Sequence, residues 1–290
     1  MKKYVYYIIA AVAVVCIAAA LIFTNPFNIG KTPVEPTTVA TTVPTTQKPT
    51  YVIEGTDHED FDVLKKKYKD IVGYISISDT NIDDVVVQAE DNDYYLRRSP
   101  SGSYRFAGSY FADYRCDMVN LSQNTTIYGH NLRDTSRLFG QLNKYKKLDF
   151  YKQSPYIKFD TLDKKAQWKI FAVFITNVKG EDGVIFNYRE PDYETDEEFL
   201  HFIERCKRRS YIDCPVDIRA DDKILTLSTC DYEIDNDWRL VVMGRLVREG
   251  EDPSVDVSKA SVNENQLFPE GWYKRKGGTR PVYADEPTLK

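Results

Sequence analysis

The sequence predicts a mainly β fold, a barrel or a sandwich of eight strands, and three observations lead to this prediction. Eight short apolar runs recur between residues 73 and 247. Residues typical of turns separate them, as in all-β domains. The 290-residue chain is also 42% hydrophobic and contains 21 Tyr and 14 Phe, which is enough for one sizeable core.

The predicted elements follow in chain order. The folded part begins near residue 51 with a helix whose apolar face carries Phe61, Leu64, Tyr68 and Ile71. The eight predicted strands are 73–77, 84–88, 106–111, 125–128, 156–159, 168–178, 223–229 and 238–247. Between the sixth and seventh strands, apolar residues recur at helical spacing behind an acidic stretch, which predicts an inserted helix bearing Phe199, Phe202, Ile203 and Cys206.

Residues 4–23 form an uncharged apolar stretch of twenty residues. A helix of this length spans about 30 Å, the thickness of a bilayer core. Lys2 and Lys3 precede it and no basic cluster follows, so residues 1–3 are expected to form a cytoplasmic tip. A cleaved signal peptide is the alternative, although its apolar core would normally be about 7 to 15 residues long. We therefore predict a single-pass signal-anchor in the cell membrane, with the folded domain outside the cell.

Two further segments flank the predicted folded domain, residues 51–248. Residues 24–50 are expected to form a Thr/Pro-rich stalk, because twelve of the nineteen residues from 32 to 50 are Thr or Pro. Residues 249–290 mix Gly, Pro, charges and isolated aromatics without a clear period, which predicts a loosely ordered tail. A lid or a partner-binding segment is the alternative for this tail.

Charge and cysteine usage exclude several classes of function. The net charge is −5, from 39 basic and 44 acidic residues, and no Lys/Arg-rich block is long enough to bind phosphates, so nucleic acid is not expected as a partner. The five cysteines show no paired spacing that predicts disulfides. The sequence has no CxxC or HExxH motif and its three histidines are far apart, so neither a metal nor another cofactor is expected.

The stretch TLSTCDYEIDNDWRL places one cysteine and one arginine near the facing ends of two predicted strands. Strand alternation puts Leu225 and Leu227 on the core face and Cys230 on the opposite face. In the next strand the same alternation puts Leu240 on the core face and Arg239 opposite. If the two strands form a hairpin, Cys230 and Arg239 lie a few ångströms apart at the same end of the sheet.

A thiol and a guanidinium together suit acyl transfer, in which a thiolate attacks a carbonyl and the developing oxyanion needs a permanent donor. The general acid would be His130, which follows an apolar strand in a Gly-containing turn. His58 and His201 have the sequence context of surface residues. Taken alone, Cys230 could be a small core residue and His130 a turn histidine, but the three residues together favour an enzyme.

These motifs resemble those of the sortases, the membrane-anchored cysteine transpeptidases of Gram-positive bacteria. Their TLxTC signature is matched by residues 226–230, and GSYFADYR, IYGHN and the Arg239 strand occur in the family's order over roughly residues 57–247. The leading helix and the helix between strands 6 and 7 resemble class B in particular. Two features depart from that pattern: Asp231 stands where class B often has Glu, and a long tail follows residue 247.

The resemblance implies an eight-stranded sortase β-barrel with defined residue roles. Cys230 would be the nucleophile, His130 the general acid and base, and Arg239 the clamp for the oxyanion or the substrate backbone. The groove for the sorting motif would be lined by Asn92, Leu96, Tyr128 and Ser228.

The resemblance also implies the reaction. The enzyme would cleave the C-terminal sorting signal of secreted proteins after Thr and join the new carboxyl to an amine of the peptidoglycan precursor. A pilus-polymerising sortase that uses a pilin lysine, and a catalytically silent module that binds peptides, are the alternatives. A papain-like protease fits less well, because there the cysteine precedes the histidine in the chain.

Overall fold

The computed structural model describes residues 60–132, 137–234 and 237–287. The predicted tip, membrane anchor and stalk, residues 1–50, lie outside this range, and so does His58. Among the described residues, none of the helices combines the length and the apolar character needed to cross a membrane.

The described residues form four α-helices and twelve strands. The helices are α1 Phe61–Lys67, α2 Leu148–Gln153, α3 Asp196–Arg209 and α4 Glu270–Lys276. The strands are β1 Ile71–Ser76, β2 Asp83–Val87, β3 Tyr110–Ala112, β4 Asn124–Tyr128, β5 Asn131–Leu132, β6 Arg137–Leu138, β7 Tyr156–Thr161, β8 Gln167–Asn177, β9 Ile212–Asp213, β10 Ile224–Asp231, β11 Trp238–Leu246 and β12 Ser261–Val262. Short 3₁₀ turns cover Tyr94–Arg97, Phe139–Lys146, Gly180–Asp182 and Val257–Lys259.

Eight of these strands close into a barrel in the order β1-β2-β3-β4-β10-β11-β8-β7. They correspond one by one to the eight predicted strands, so the mainly β fold is confirmed and the barrel, rather than the sandwich, is correct. The predicted strand 106–111 begins too early, because Gly108 adopts a positive φ of 64° in a turn before β3. Alternation does not reveal that the β4–β10 and β2–β3 pairs are parallel.

The inserted helix α3 and the leading helix α1 are both confirmed. Asp60 caps α1 by accepting a hydrogen bond from the amide of Asp62 at 2.7 Å. Thr195 caps α3 in the same way, with the amide of Glu198 at 3.2 Å. Leu64 in α1 packs against Ile71 and Val85 at the side of the barrel.

The strands β10 and β11 are buried on both faces over most of their length. Their core face contributes Leu225, Leu227, Leu240 and Val242 to the main hydrophobic cluster. On the opposite face, Val241 and Met243 pack against the apolar side of α3. Cys230 and Arg239 lie on this same face, beyond the part that α3 covers, and are only half-buried. The barrel end that carries them is therefore accessible.

The expectation of a loosely ordered tail does not match the contacts of residues 249–287. β12 pairs antiparallel with β9, and Leu267 is only 1% exposed. The fully buried carboxylate of Glu286 pairs with Arg205 at 3.1 Å and with Arg209 at 2.5 Å. The sequence shows no period here because isolated residues, rather than one regular face, attach the segment to the domain.

Replacing Leu267 with Ala is expected to destabilise the domain by about 2–4 kcal/mol, because a buried leucine side chain is lost and a cavity remains. The measurement is the urea midpoint of unfolding. Val282→Ala is the matched control, because Val282 lies in the same segment but is 91% exposed, and it should change stability by less than about 0.5 kcal/mol. Equal, small effects of both substitutions would mean that the segment does not pack on the domain.

Candidate active site

A cleft with a volume of about 500 Å³ opens at the end of the barrel where β4, β10 and β11 meet the 3₁₀ turn Tyr94–Arg97. All seven residues that the sequence predicts for the site line this cleft: Asn92, Leu96, Tyr128, His130, Ser228, Cys230 and Arg239. The cleft is also lined by residues that the sequence did not single out: Asp93, Phe111, Gly129, Val178, Tyr188, Arg189 and Thr229. The fold thus brings together residues that are up to 147 positions apart, from Asn92 to Arg239.

Cys230 and Arg239 are direct cross-strand neighbours in the β10–β11 pair. Residues opposite each other in an antiparallel pair have Cβ atoms about 4.5–5.5 Å apart. The hairpin geometry expected from strand alternation is therefore present. The Arg239 guanidinium donates to the Trp238 carbonyl at 2.9 Å, and the Asn131 amide donates to the Cys230 carbonyl at 2.9 Å. These two bonds fix the backbone on either side of the pair.

The other three thiols of the described residues lie away from the cleft, and burial disfavours their thiolates. It raises the pKa of Cys116 to about 11 and that of Cys214 to about 12. The pKa of Cys206, which is fully buried, is raised further. A thiol must ionise to act as a nucleophile, so these three cysteines are poor candidates for catalysis.

His130 follows β4 in the same cleft, and its Nε2 lies 2.9 Å from the Leu96 carbonyl oxygen. A carbonyl only accepts hydrogen bonds, so Nε2 carries the hydrogen and Nδ1 remains for proton exchange. Burial lowers the pKa of His130 below its usual 6.5, as do the positive charges of Arg97 and Arg239, while the Leu96 carbonyl opposes the shift. The ring is therefore mainly neutral at pH 7.

Gly108 allows the close approach that places the Leu96 carbonyl beside His130. A Cβ atom at this position would lie 2.5 Å from the Leu96 oxygen, and the φ of 64° is itself unfavourable for other residues. The turn that carries Leu96 is therefore packed directly on the backbone that precedes β3.

The cleft walls are braced by buried hydrogen bonds. Tyr128 donates from its hydroxyl to Asp113 at 2.7 Å, and Asp113 also pairs with Arg115 at 2.8 Å. On the opposite wall, the hydroxyls of Tyr188 and Ser228 lie 2.8 Å apart. Sequence reasoning missed Tyr188 because it lies between β8 and α3 in a segment without a regular period. The quoted GSYFADYR motif contains Asp113 and Arg115, but only the fold shows which side chain they hold.

Asp231 does not line the cleft, although it follows Cys230 directly. Its side chain is fully buried and forms an ion pair with Lys146 at 2.5 Å. It also accepts a hydrogen bond from the Glu233 amide at 2.9 Å. Asp231 therefore holds the backbone after the cysteine. Among residues 60–132, 137–234 and 237–287, we find no group of three His, Cys, Asp or Glu side chains placed to share a metal ion.

The family model described as "Sortase domain" matches residues 75–247, more than half of the chain. The chain belongs to the sortase family. The sortase is 35% identical over 189 residues to "Sortase B" of Staphylococcus aureus (strain NCTC 8325 / PS 47), which covers 65% of this chain and 75% of that protein. It is 36% identical over 196 residues to "Sortase B" of Listeria monocytogenes serovar 1/2a (strain ATCC BAA-679 / EGD-e), covering 67% and 77%.

Solved structures give the same result. The "Staphylococcus aureus sortase B-substrate complex" matches with a TM-score of 0.59 at 35% identity, covering 65% of this sortase and 84% of that chain. A mutant form of Clostridium perfringens sortase B matches with a TM-score of 0.60 at 28% identity, covering 65% and 86%. The resemblance to class B is therefore confirmed, and the protein is a sortase-type cysteine transpeptidase.

Proposed function

We propose that this sortase cleaves the C-terminal sorting motif of secreted proteins after Thr and transfers the new carboxyl group to an amine of the peptidoglycan precursor. The observation that carries the proposal is the pairing of Cys230 with Arg239 in a cleft that also holds His130. These are the three groups that acyl transfer from a peptide needs: a nucleophile, an oxyanion donor and a proton carrier.

In the first half-reaction, the Cys230 thiolate attacks the carbonyl carbon of the Thr in the sorting motif. The oxyanion that forms accepts hydrogen bonds from the Arg239 guanidinium, which keeps its charge throughout. His130 in its imidazolium form gives its proton to the leaving amine nitrogen as the C–N bond breaks. The products are a thioester on Cys230 and the released C-terminal piece of the sorting signal.

In the second half-reaction, the acceptor amine attacks the thioester carbonyl. Neutral His130 takes a proton from the amine, the C–S bond breaks, and a new amide joins the secreted protein to the precursor. Burial favours the neutral ring, which suits this base step, whereas the preceding step needs the protonated ring. His130 therefore has to change protonation state once in each half-reaction.

The sorting motif would bind along the cleft wall formed by Asn92, Leu96, Tyr128 and Ser228. This wall combines an apolar side chain with amide and hydroxyl groups, as is usual for sites that hold a peptide in one orientation. Tyr128 and Ser228 are held by Asp113 and Tyr188, respectively, and so present fixed surfaces. One related structure is titled as a sortase B–substrate complex and another as sortase B in complex with triglycine, which supports a peptide donor and an amine acceptor.

We also propose that residues 4–23 anchor the enzyme in the cell membrane, with residues 24–50 as a spacer that carries the domain outside the cell. Both substrates would then be reached at the membrane surface. The uncharged stretch of twenty residues behind Lys2 and Lys3 supports this arrangement.

The test is to mix the full chain, purified in detergent, with NPQTN-like and LPXTG-like peptides and with hydroxylamine as the acceptor. A hydroxamate ending at Thr, identified by mass spectrometry, is the expected product. Replacing hydroxylamine with a lysine-bearing pilin peptide tests the pilus-polymerising alternative. A silent peptide-binding module would bind peptide without releasing a C-terminal fragment, and that result would contradict the proposal.

The depressed pKa of His130 also predicts a pH-dependent contribution to stability. The unfolded chain binds a proton at this histidine more readily than the folded domain does. This contribution is therefore fully present above about pH 6.5, the unfolded value, and is lost as the pH falls towards the folded pKa. Relative to His130→Gln, the wild type should lose unfolding free energy between pH 7.5 and pH 5 in urea titrations. A difference between the two proteins that is constant with pH would contradict the burial of a neutral ring.

A further inference from the structure

The geometry points to a role for the C-terminal segment, residues 260–287, in catalysis: it holds the two strand ends that carry Cys230 and Arg239. Within it, Arg275 acts with Asp182 to position Arg239. This inference rests on the proposed roles of Cys230 and Arg239. The segment begins after residue 247, where the match to the sortase domain ends.

One set of contacts leads from α4 to Arg239. Arg275 of α4 donates to Oδ1 of the buried Asp182 at 2.6 Å, and Asp182 Oδ2 accepts from the Trp238 indole at 2.9 Å. Trp238 is fully buried, directly precedes Arg239 and accepts the guanidinium hydrogen bond on its carbonyl at 2.9 Å. Both the side chain and the backbone of Trp238 are thus fixed, the first by Asp182 and the second by Arg239 itself.

The helix lies unusually close to Asp182. A Cβ atom at Gly271 would lie 2.6 Å from Asp182 Oδ1, and one at Gly183 would lie 3.1 Å from the Glu270 amide nitrogen. Gly183 also has a φ of 126°, which other residues rarely adopt. The contact between α4 and the 180–183 turn therefore leaves room only for glycine at these two points.

A second set of contacts leads from α4 to the residue after Cys230. Phe268 and Trp272 stack with ring centroids 4.1 Å apart, and Phe268 meets the Tyr211 ring edge-on at 5.7 Å. Lys146 lies over the Tyr211 ring at 6.0 Å and pairs with Asp231 at 2.5 Å. Asp231 is also the cross-strand partner of Trp238. The segment thus supports both strands at the point where they carry the reactive pair.

Loss of Arg275 would leave the Asp182 carboxylate buried without its positive partner, which is costly. The carboxylate would move towards water, and the Trp238 indole would lose its acceptor. Arg239, attached to the next residue, would then lose its fixed position. A clamp on a developing oxyanion depends on such fixation, because donors must already be in place when the charge forms.

The test uses the full chain in detergent and two readouts. The first is the kcat and KM of hydroxamate formation. Arg275→Ala should lower kcat about tenfold with KM within about twofold, since misplacement of a transition-state donor affects kcat more than binding. Arg275→Lys should restore part of the loss, and Lys274→Ala, an exposed neighbour on the same helix, is the matched control and should have no effect.

The second readout does not need transpeptidation. It is the ratio of the alkylation rates of Cys230 by iodoacetate and by iodoacetamide, determined from the labelled peptide. A guanidinium beside the thiol attracts the anionic reagent, so Arg275→Ala and Arg239→Ala should both lower this ratio, and Lys274→Ala should leave it unchanged. A lowered ratio without any hydroxamate from the wild type would overturn the proposed function but uphold the positioning role.

A double-mutant cycle separates positioning from general destabilisation. In an Arg239→Lys background, Arg275→Ala should lower kcat much less than it does in the wild type, because residues that act through one another are not additive. An unchanged kcat and alkylation ratio in Arg275→Ala would overturn the inference. Full additivity with Arg239→Lys would also overturn it, since the segment would then affect activity through stability alone.

Discussion

Replacing Cys230 with Ala is expected to abolish hydroxamate formation while leaving the fold intact. Among the described residues that line the cleft, Cys230 carries the one thiol, so the rate should fall by at least about 10⁴-fold, as in other enzymes that lose their nucleophile. The side chain is half-buried at the barrel end, and its removal leaves the core clusters unchanged. The measurement is product formation by mass spectrometry, with the thermal midpoint recorded on the same sample.

The matched control is Cys214→Ala. Cys214 is half-buried as well, but its thiol donates to the Ile212 carbonyl at 3.6 Å, away from the cleft. This variant should keep its activity even if its stability falls. Activity that survives in Cys230→Ala, or that disappears equally in both variants, would show that Cys230 is not the nucleophile.

Replacing Arg239 with Ala should have the second-largest effect, a fall in kcat of about 10²–10³-fold, the range seen when one oxyanion donor is removed. Arg239→Lys keeps the charge but loses the planar pair of donors, so we expect an intermediate loss. KM should change less than kcat, because the guanidinium is needed most when the carbonyl oxygen becomes negative. Steady-state kinetics with a saturating sorting peptide distinguish the two parameters.

Arg189→Ala serves as the control for the positive charge of the cleft. Arg189 lines the same cleft but lies outside the β10–β11 pair. Its loss should cost less than about tenfold in kcat, in contrast to the loss of a donor to the oxyanion. If the two arginine variants are equally impaired in kcat, the cross-strand position of Arg239 has no special role and overall charge explains the effect.

The reactive pair was predictable because strand alternation is a local property. A period of two places Cys230 and Arg239 on one face whatever the rest of the chain does, and a hairpin makes them neighbours. The barrel strands and α3 were predictable for the same reason, since each carries its own periodic apolar face.

Features that depend on distant contacts were not predictable in this way. Tyr188 reaches Ser228 from a segment without periodicity, and Asp113 holds Tyr128 only because β3 and β4 are paired. The C-terminal segment attaches through single residues such as Leu267 and Glu286, which in the sequence are indistinguishable from solvated ones. Partners that are remote in the chain leave no local signal, so only the fold reveals them.

The most direct test of the central claim is to trap the thioester. The full chain is mixed with a sorting peptide without an acceptor, quenched in acid and digested, and the peptide that contains Cys230 is analysed by mass spectrometry. We expect this peptide to gain the mass of the sorting peptide's N-terminal part, ending at Thr, and to lose it on treatment with hydroxylamine. An adduct on Cys116, Cys206 or Cys214, or C-terminal fragment release without any adduct on Cys230, would contradict the assignment of Cys230 as the nucleophile of a transpeptidase.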